Sequence, residues 1–342
     1  MSDISVTILG LGRIGTSMGL ALKRYNRSGS QHHFNITGYD SRPGMVKTAQ
    51  KMDAVDSIET KAFVAVRDRD IIVVALPYSE VKEAYELIAP DLREGAVILD
   101  TSVLKEPSLE WAKKQLPPTA HLVGVAPIIG PRYLFDGVDD AERAVEDYFD
   151  NGTMLLMPSV SCVPEAVELA TNFSTLLGAT PHFLDPLEFD GLSAATDGLP
   201  SLIGVVFFHT LLKSQGWNDV QRVTNPAFGM LTHWLFDTHP DDLRDSWVNN
   251  RDNLLRYTDE FLDMLGRFRD ILARENRDAL EAALISSSEE YEAWINRRYK
   301  ANWDDTYKPD VASATGTIVS GLIGGKMARK LMGGDKDQDR DR

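Results

Sequence analysis

Six residues near the amino end, Gly10-Leu11-Gly12-Arg13-Ile14-Gly15, carry the spacing G-x-G-x-x-G. In this spacing the first glycine permits a tight turn and the second leaves room for a pyrophosphate against the backbone. The third lets a helix approach its strand closely. The helix behind the turn offers free N–H groups and the positive end of its dipole to the phosphates. Asp40 closes a second strand-like run at 35–39, where a carboxylate can accept hydrogen bonds from adenosine ribose hydroxyls. That favours NAD over NADP, since a carboxylate repels a 2′-phosphate, and Arg42 two residues on softens the preference. Leu76-Pro77, closing the apolar run 70–77, reads as the loop under which a nicotinamide ring lies. The expected ligand of this half is a dinucleotide.

The elements that must position these groups follow from hydrophobic pattern. Val6, Ile8 and Leu9 form the apolar run of a buried parallel strand, and Ile14, Met18, Ala21 and Leu22 follow with helical spacing. Strand-like runs recur at 70–77, 96–100, 121–126, 153–158 and 181–184, with helical stretches between most of them. That alternation predicts an α/β fold, a Rossmann-type doubly wound parallel sheet. A polar insert at 26–31 reads as a loop ahead of the second strand. From about residue 185 the strands stop and helical spacing takes over, at 202–214, 230–238, 251–276 and 278–299. The expected division is a dinucleotide-binding domain over 1–185, an all-helical substrate and dimerisation domain over 186–312, and a Gly-rich, charged tail over 313–342. The apolar stripe Leu254, Leu255, Phe261, Leu262, Leu265, Phe268, Ile271 and Leu272 predicts a homodimer through the helical domain. In the tail, Gly321 and Gly325 have the spacing of membrane helix pairs, but the run is short and is read as a tail or a strip packed on the dimer.

Bulk composition narrows the partners. The 342 residues carry a net charge of −15, which argues against a nucleic-acid surface and leaves small anions that need only local cations. The single cysteine excludes an internal disulfide and suits a reducing cytoplasm. The amino end lacks a basic, then apolar leader, and no window reaches the apolar length expected of a transmembrane helix. The histidines His121, His182, His209, His233 and His239 lack metal-ligand spacing and read as structural or surface groups, so no metal site is expected.

The order of parts resembles the prephenate/arogenate dehydrogenase family. The resemblance covers roughly residues 5–285 and rests on GLGRIG with GYD, then DIIVVALP, GAVILDTSVLKE, VGVAPIIGP and LGATPHFLDPLEFDGLSAATDGLPSL. It implies hydride transfer from a ring carbon that bears a hydroxyl, then loss of a ring carboxylate as CO₂. A histidine would polarise the hydroxyl and cations would hold the carboxylates. Gly10, Gly12, Gly15 and Asp40 match the cofactor motif, and Asp100-Thr101-Ser102 with Lys105 is similar to the family's serine-bearing motif. Ser102 is therefore the candidate hydroxyl beside nicotinamide and substrate.

The substrate motifs depart from the family. Ala126 stands where H-P-x-x-G-P has its histidine, with Gly130 and Pro131 kept. Asp197-Gly198-Leu199-Pro200-Ser201 replaces S-H-L-P-H, and Asn225 stands at the substrate-arginine position. Replacement groups are Asp197, which reads as a general base, an amine-binding group or a helix N-cap, with Thr196, Arg132 and Arg222 as substrate-binding groups. The expected function is oxidative decarboxylation of a cyclohexadienyl substrate. The alternatives are a dehydrogenase or reductase of another small substrate, such as an imine or keto acid, and a non-catalytic dinucleotide-binding regulator.

Overall fold

The computed structural model describes residues 2–29 and 32–300. These residues fall into two compact units that divide between Thr258 and Asp259. The tail at 313–342, with its paired glycines, lies outside the described residues. In the first unit the elements run β1 (Ser2–Leu9), α1 (Arg13–Arg27), β2 (His32–Tyr39), α2 (Pro43–Lys51), β3 (Ser57–Ile58), α3 (Ala62–Ala65), β4 (Ile71–Val74), α4 (Tyr78–Ile88), β5 (Val97–Asp100) and α5 (Glu106–Gln115). Then come β6 (His121–Ile128), β7 (Thr153–Pro158), α6 (Pro164–Leu176) and β8 (Thr180–Phe183). Helices follow: α7 (Pro186–Ser193), α8 (Leu199–Leu212), α9 (Trp217–Val220), α10 (Pro226–Thr232), α11 (Trp234–Asp237) and α12 (Pro240–Asn249). α13 (Arg251–Ala273) crosses into the second unit, which also holds α14 (Arg277–Lys300).

The eight strands form one sheet in the order β3-β2-β1-β4-β5-β6-β7-β8. The chain leaves β1 toward β2 and β3, then returns to the other side of β1 for β4, so a switch point opens between β1 and β4. Ligands of open α/β sheets bind outside the carboxyl ends of the strands at such a point. The first six strands are parallel, as expected, but β7 pairs antiparallel with β6, Ala126 opposite Leu155, and β8 is parallel to β7. The reason lies in the connection. Residues 129–152 hold only two short single-turn helices in place of a crossover helix, so the chain comes back alongside β6 in the opposite sense.

Two apolar layers fix the sheet. One face buries Val6, Ile8, Met18, Leu22, Ile36, Val73 and Phe173 among others; the opposite face buries Leu9, Ile72, Val74, Val81, Tyr85 and Ile98. Asn26 ties the end of α1 to β2, its amide exchanging two hydrogen bonds with the Phe34 main chain at 2.8 and 2.9 Å. Residues 26 and 27 belong to the helix, so the connection read as a six-residue polar insert is shorter than its composition indicated.

The helical segment is fastened to the sheet by two caps from a distance. The buried Asp190 of α7 accepts from the Lys105 and Glu106 amides at the start of α5, at 2.7 and 3.0 Å. Asp242 of α12 accepts from the Ser79 amide and hydroxyl at the start of α4, at 2.8 and 2.7 Å. Each accepts from amide donors that the helix itself leaves without partners. α7 and α8 join through a wider π-turn, Ala194–Gly198, into one helix of 27 residues, Pro186–Leu212. Its length and apolar composition would suffice to cross a membrane, which corrects the reading that no window does; 22% of its most apolar stretch is buried in this chain.

Asp190→Ala leaves two amides of α5 unpaired. The expected loss is about 2 kcal/mol of unfolding free energy, read as a lower urea midpoint at unchanged slope. A midpoint equal to that of the parent would show that the cap does not hold the helical segment.

Candidate active site

The glycine turn sits at the carboxyl end of β1. Gly10 has φ +96°, and a Cβ there would lie 2.1 Å from the Ala75 carbonyl oxygen. A Cβ on Gly15 would lie 1.9 Å from the Gly10 oxygen, so α1 sits against the turn as the motif requires. A Cβ on Gly12 would meet nothing within 4 Å, and no side chain caps α1 at that residue. The capping residue of α1 therefore has open space beside it and, among the described residues, no side-chain cap, so the main-chain N–H groups there have the polarity that suits a phosphate.

The two residues after Gly12 have other duties. Arg13 is almost fully buried and turns away from the opening. Its guanidinium donates to the Asp136 and Val138 carbonyls at 2.9 and 2.8 Å and pairs with the Asp136 carboxylate at 2.7 Å. It also lies over the Tyr148 ring, 4.6 Å from the centroid. Ile14 is half-buried against the core. Leu11 is buried and donates its amide to Asp40 at 2.8 Å. Asp40 stands just past β2 and also accepts from the Arg42 amide and guanidinium. Leu76 and Pro77 follow β4 and are half-buried, with Pro77 immediately ahead of α4.

After β5 the chain is held by a fully buried cation. The Lys105 ammonium donates to the Asp100, Ser102 and Val125 carbonyls at 2.9, 2.5 and 2.9 Å. Burial lowers its pKa to about 8, against the opposing pull of Asp100 and Asp190. The Asp100 carboxylate accepts from the Ser102 amide at 3.0 Å and hydroxyl at 2.6 Å, and from Ser108 on its other oxygen. Ser102 is thus a buried turn residue with one hydroxyl lone-pair side still able to accept.

Thr196 and Asp197 lie on the π-turn, and both are exposed. The Thr196 hydroxyl shares its proton between the Leu192 carbonyl and the Asp197 carboxylate, at 3.3 and 3.0 Å. Asp197 is not a helix cap; it projects from the middle of a continuous helix. Its carboxyl pKa is raised because surrounding protein disfavours the charge, with Thr196 opposing the shift. Water thus reaches the carboxylate inside a recess. Arg132 is exposed and paired with Asp147 at 2.9 Å, and Arg222 is exposed beyond α9. Among the described residues no hydrogen bond or ion pair joins either arginine to Asp197 or Ser102.

The family's substrate positions carry structural residues here. Ala126 is packed with Leu155, Met157 and Phe189. Asn225 caps α10, its side-chain oxygen accepting from the Phe228 amide at 3.0 Å. Ser201 is buried, donating to the Gly198 carbonyl and accepting from the Trp247 indole.

One pair escaped the sequence reading. His233 and Asp237, one helical turn apart, meet at 2.8 Å between Nδ1 and a carboxylate oxygen, and the imidazole stacks on Trp234 at 4.4 Å. A Cβ on Gly137 would come within 3.8 Å of His233 Nε2. The i,i+4 spacing of a histidine and an aspartate was the available signal.

Residues 18–182 match the family described as prephenate dehydrogenase, nucleotide-binding domain. The prephenate dehydrogenase of Bacillus subtilis is 26% identical over 286 residues, spanning 82% of this chain and 74% of that relative. The cyclohexadienyl dehydrogenase of Zymomonas mobilis is 22% identical over 282 residues, 80% of this chain and 90% of its own. The chain is similar to the prephenate/arogenate dehydrogenase family over most of its length. Its fold matches that of the Aquifex aeolicus prephenate dehydrogenase solved with hydroxyphenyl propionate and NAD⁺, with a TM-score of 0.70 and 19% identity. That superposition covers 86% of this chain and 99% of the other.

The raised pKa of Asp197 has a linkage consequence. A carboxyl whose folded pKa lies above its unfolded value stabilises the fold at low pH and loses that contribution as pH rises through the folded value. Asp197→Asn is therefore expected to melt at a higher temperature than the parent at pH 7 to 8, with the gap closing toward pH 4. A gap that is constant with pH would show that the carboxyl is not disfavoured in its recess.

Proposed function

We propose that this chain is an NAD-dependent dehydrogenase that oxidises and decarboxylates a small anionic cyclohexadienyl carboxylate of the prephenate or arogenate type. The observation that carries the reading is the uncapped start of α1 behind Gly12, with Asp40 beside it at the switch point. Main-chain N–H groups of Gly12, Arg13 and Ile14 would hold the pyrophosphate, with Gly10 and Gly15 shaping the turn. Asp40, reached through Leu11, would hold the adenosine ribose; Leu76, Pro77 and Ser102 would border the nicotinamide. The bound dinucleotide supplies a hydride acceptor.

The chain's own residues handle what remains. As the hydride leaves the ring carbon, the proton of its hydroxyl must go to a base, and the ring carboxylate departs as CO₂, leaving its electron pair in the ring that becomes aromatic. Ala126 has no group to take that proton. In our reading the Asp197 carboxylate takes it, and its raised pKa improves the match to a base working near neutrality. Thr196 orients that carboxylate and is a donor for the substrate, while Arg132 and Arg222 are the cations assigned to the substrate carboxylates.

The same reading assigns the dinucleotide-binding part to 1–185 and the substrate part to 186–312, working in the cytoplasm. A second copy covers the apolar helix Pro186–Leu212, where Leu187, Leu192 and Val206 are each at least half exposed. One second reading has specific support. Structural residues at Ala126, Ser201 and Asn225 favour a dehydrogenase whose small anionic substrate differs from that of its relatives.

Purified full-length protein with NAD and either prephenate or arogenate, followed by absorbance of the reduced cofactor, tests both. Reduction is expected, with kcat for Asp197→Asn lower by about 100-fold or more and NAD binding by calorimetry unchanged. Bound NAD without reduction would pass the case to the second reading. A variant within about threefold of the parent kcat would remove Asp197 as the base.

A further inference from the structure

The connection from β6 to β7 passes beside the start of α1 and is held on both sides. On one side the Asp136 and Val138 carbonyls accept from the Arg13 guanidinium at 2.9 and 2.8 Å, and the Asp136 carboxylate adds an ion pair at 2.7 Å. On the other, the Asp139 amide faces the Asp237 carboxylate of α11 at 3.4 Å. Asp237 is itself buried and engaged by His233 at 2.8 Å. Residue 139 therefore stands between the start of α1 and the helical segment.

The Asp139 side chain reaches back toward that start. The Arg13 guanidinium and main-chain N–H both act on its carboxylate, and so does Arg42 at the head of α2. Arg42 feels Asp139 in turn, while its fork engages Asp40, which also accepts the Leu11 amide at 2.8 Å. A carboxylate within reach of both the Arg13 amide and Arg42 lies across the span assigned above to the pyrophosphate and the adenosine ribose. It faces the helix end that Gly12 leaves without a side-chain cap. The chain has set an anion of its own where the cofactor's anions belong.

The charge of Asp139 is already disfavoured. The residue keeps an exposed side, but its carboxyl lies in a recess where lost hydration raises its pKa; Asp237 adds to the rise, and Arg13 and Arg42 oppose it. A pyrophosphate brings further negative charge to the same spot, and like charges a few ångströms apart do not all stay ionised. The loop is pinned by Arg13 and Asp237, so taking a proton relieves the repulsion without moving it.

We propose that Asp139 is a carboxylate stationed in the dinucleotide site that takes up a proton when NAD enters, so that cofactor binding tightens as pH falls. This rests on the dinucleotide reading above and adds to it the regulation of that site. The groups around Asp139 set what else titrates there. Arg13 of α1 and Arg42 of α2 keep their charge throughout. Burial pulls the Asp136 pKa upward, but Arg13 and Arg143 outweigh it and hold the group ionised. Glu80 of α4, its pKa raised by burial, acts through Arg42. His233, paired with Asp237 behind the loop, gains positive charge toward low pH and needs its own control.

The test is calorimetric titration of the full chain with NAD at pH 6, 7 and 8, each in two buffers of different ionisation enthalpy, which reads the protons taken up per NAD bound. The parent is expected to bind NAD about tenfold more weakly at pH 8 than at pH 6, with an uptake of about half a proton or more at its greatest. Asp139→Asn keeps the shape and removes the charge. It should bind NAD about tenfold tighter than the parent at pH 8, with uptake below about a fifth of a proton. Asp139→Ala serves where the asparagine variant does not fold, and His233→Gln is expected to keep most of the uptake. A merely structural role would change affinity and leave the uptake as in the parent. The inference is overturned where Asp139→Asn retains the parent's uptake, or binds NAD within about twofold of the parent at pH 8. Failure of the folded parent and variants alike to bind NAD would instead remove the dinucleotide reading, and this inference with it.

Discussion

Helix N-termini that point at the carboxyl edge of a parallel sheet carry N–H groups without intrahelical partners, and these groups organise the molecule. The helices rising from β1, β4 and β5 each present such an end. At α4 the donors go to Asp242, and at α5 they go to Asp190, both from the helical segment far along the chain. At α1 the capping position is Gly12, with no side chain to offer and open space around it. Two ends are closed by the protein and one is left for a ligand. The caps that fasten the helical segment to the sheet also leave the open end as the place where an anion gains most.

Much of this was legible in the residues. Buried parallel strands announce themselves as unbroken apolar runs, and the glycine turn with Asp40 needed no tertiary knowledge, because its constraints are local. Gly10 and Gly15 admit no Cβ for the steric reasons the motif encodes. The reversal of β7 was not legible: a strand buried on both faces reads alike whichever way it runs. Direction is settled by the connection, and residues 129–152 lack the amphipathic repeat of a crossover helix. The exposed face of Pro186–Leu212 shows the same limit. Apolar composition over 27 residues fits a membrane span, a core helix and a covered interface alike.

The side chains around the site were less legible than the backbone that carries them. Asp190 and Asp242 look in sequence like ordinary helix-surface acids, and only folding reveals that each caps a helix a long way back in the chain. Lys105 likewise reads as a solvated residue, yet it sits fully buried with three carbonyls around its ammonium. Its three donors tie the turn after β5 to β6, which fixes Asp100 and, through it, Ser102. The serine's identity was visible; its commitment to Asp100 was not, since a hydroxyl two residues from an aspartate serves a turn as readily as a ligand.

The π-turn explains why Asp197 is exposed on a helix where Ser193 and Ser201, one turn to either side, are buried. Ser193, Ser201 and Gly204 are buried along one side of the long helix, and with ordinary i,i+4 spacing Asp197 would lie on that side with them. There it would be an unpaired charge in a packed interface. The turn Ala194–Gly198 is wider than an α-helical turn, so the phase slips and Asp197 comes off the buried side into the recess. Such widened turns recur at functional sites because they re-aim one side chain while the helix continues. Ala126, Asn225 and Ser201 are absorbed into packing and caps, whereas Asp197 owes its exposed direction to one irregular turn.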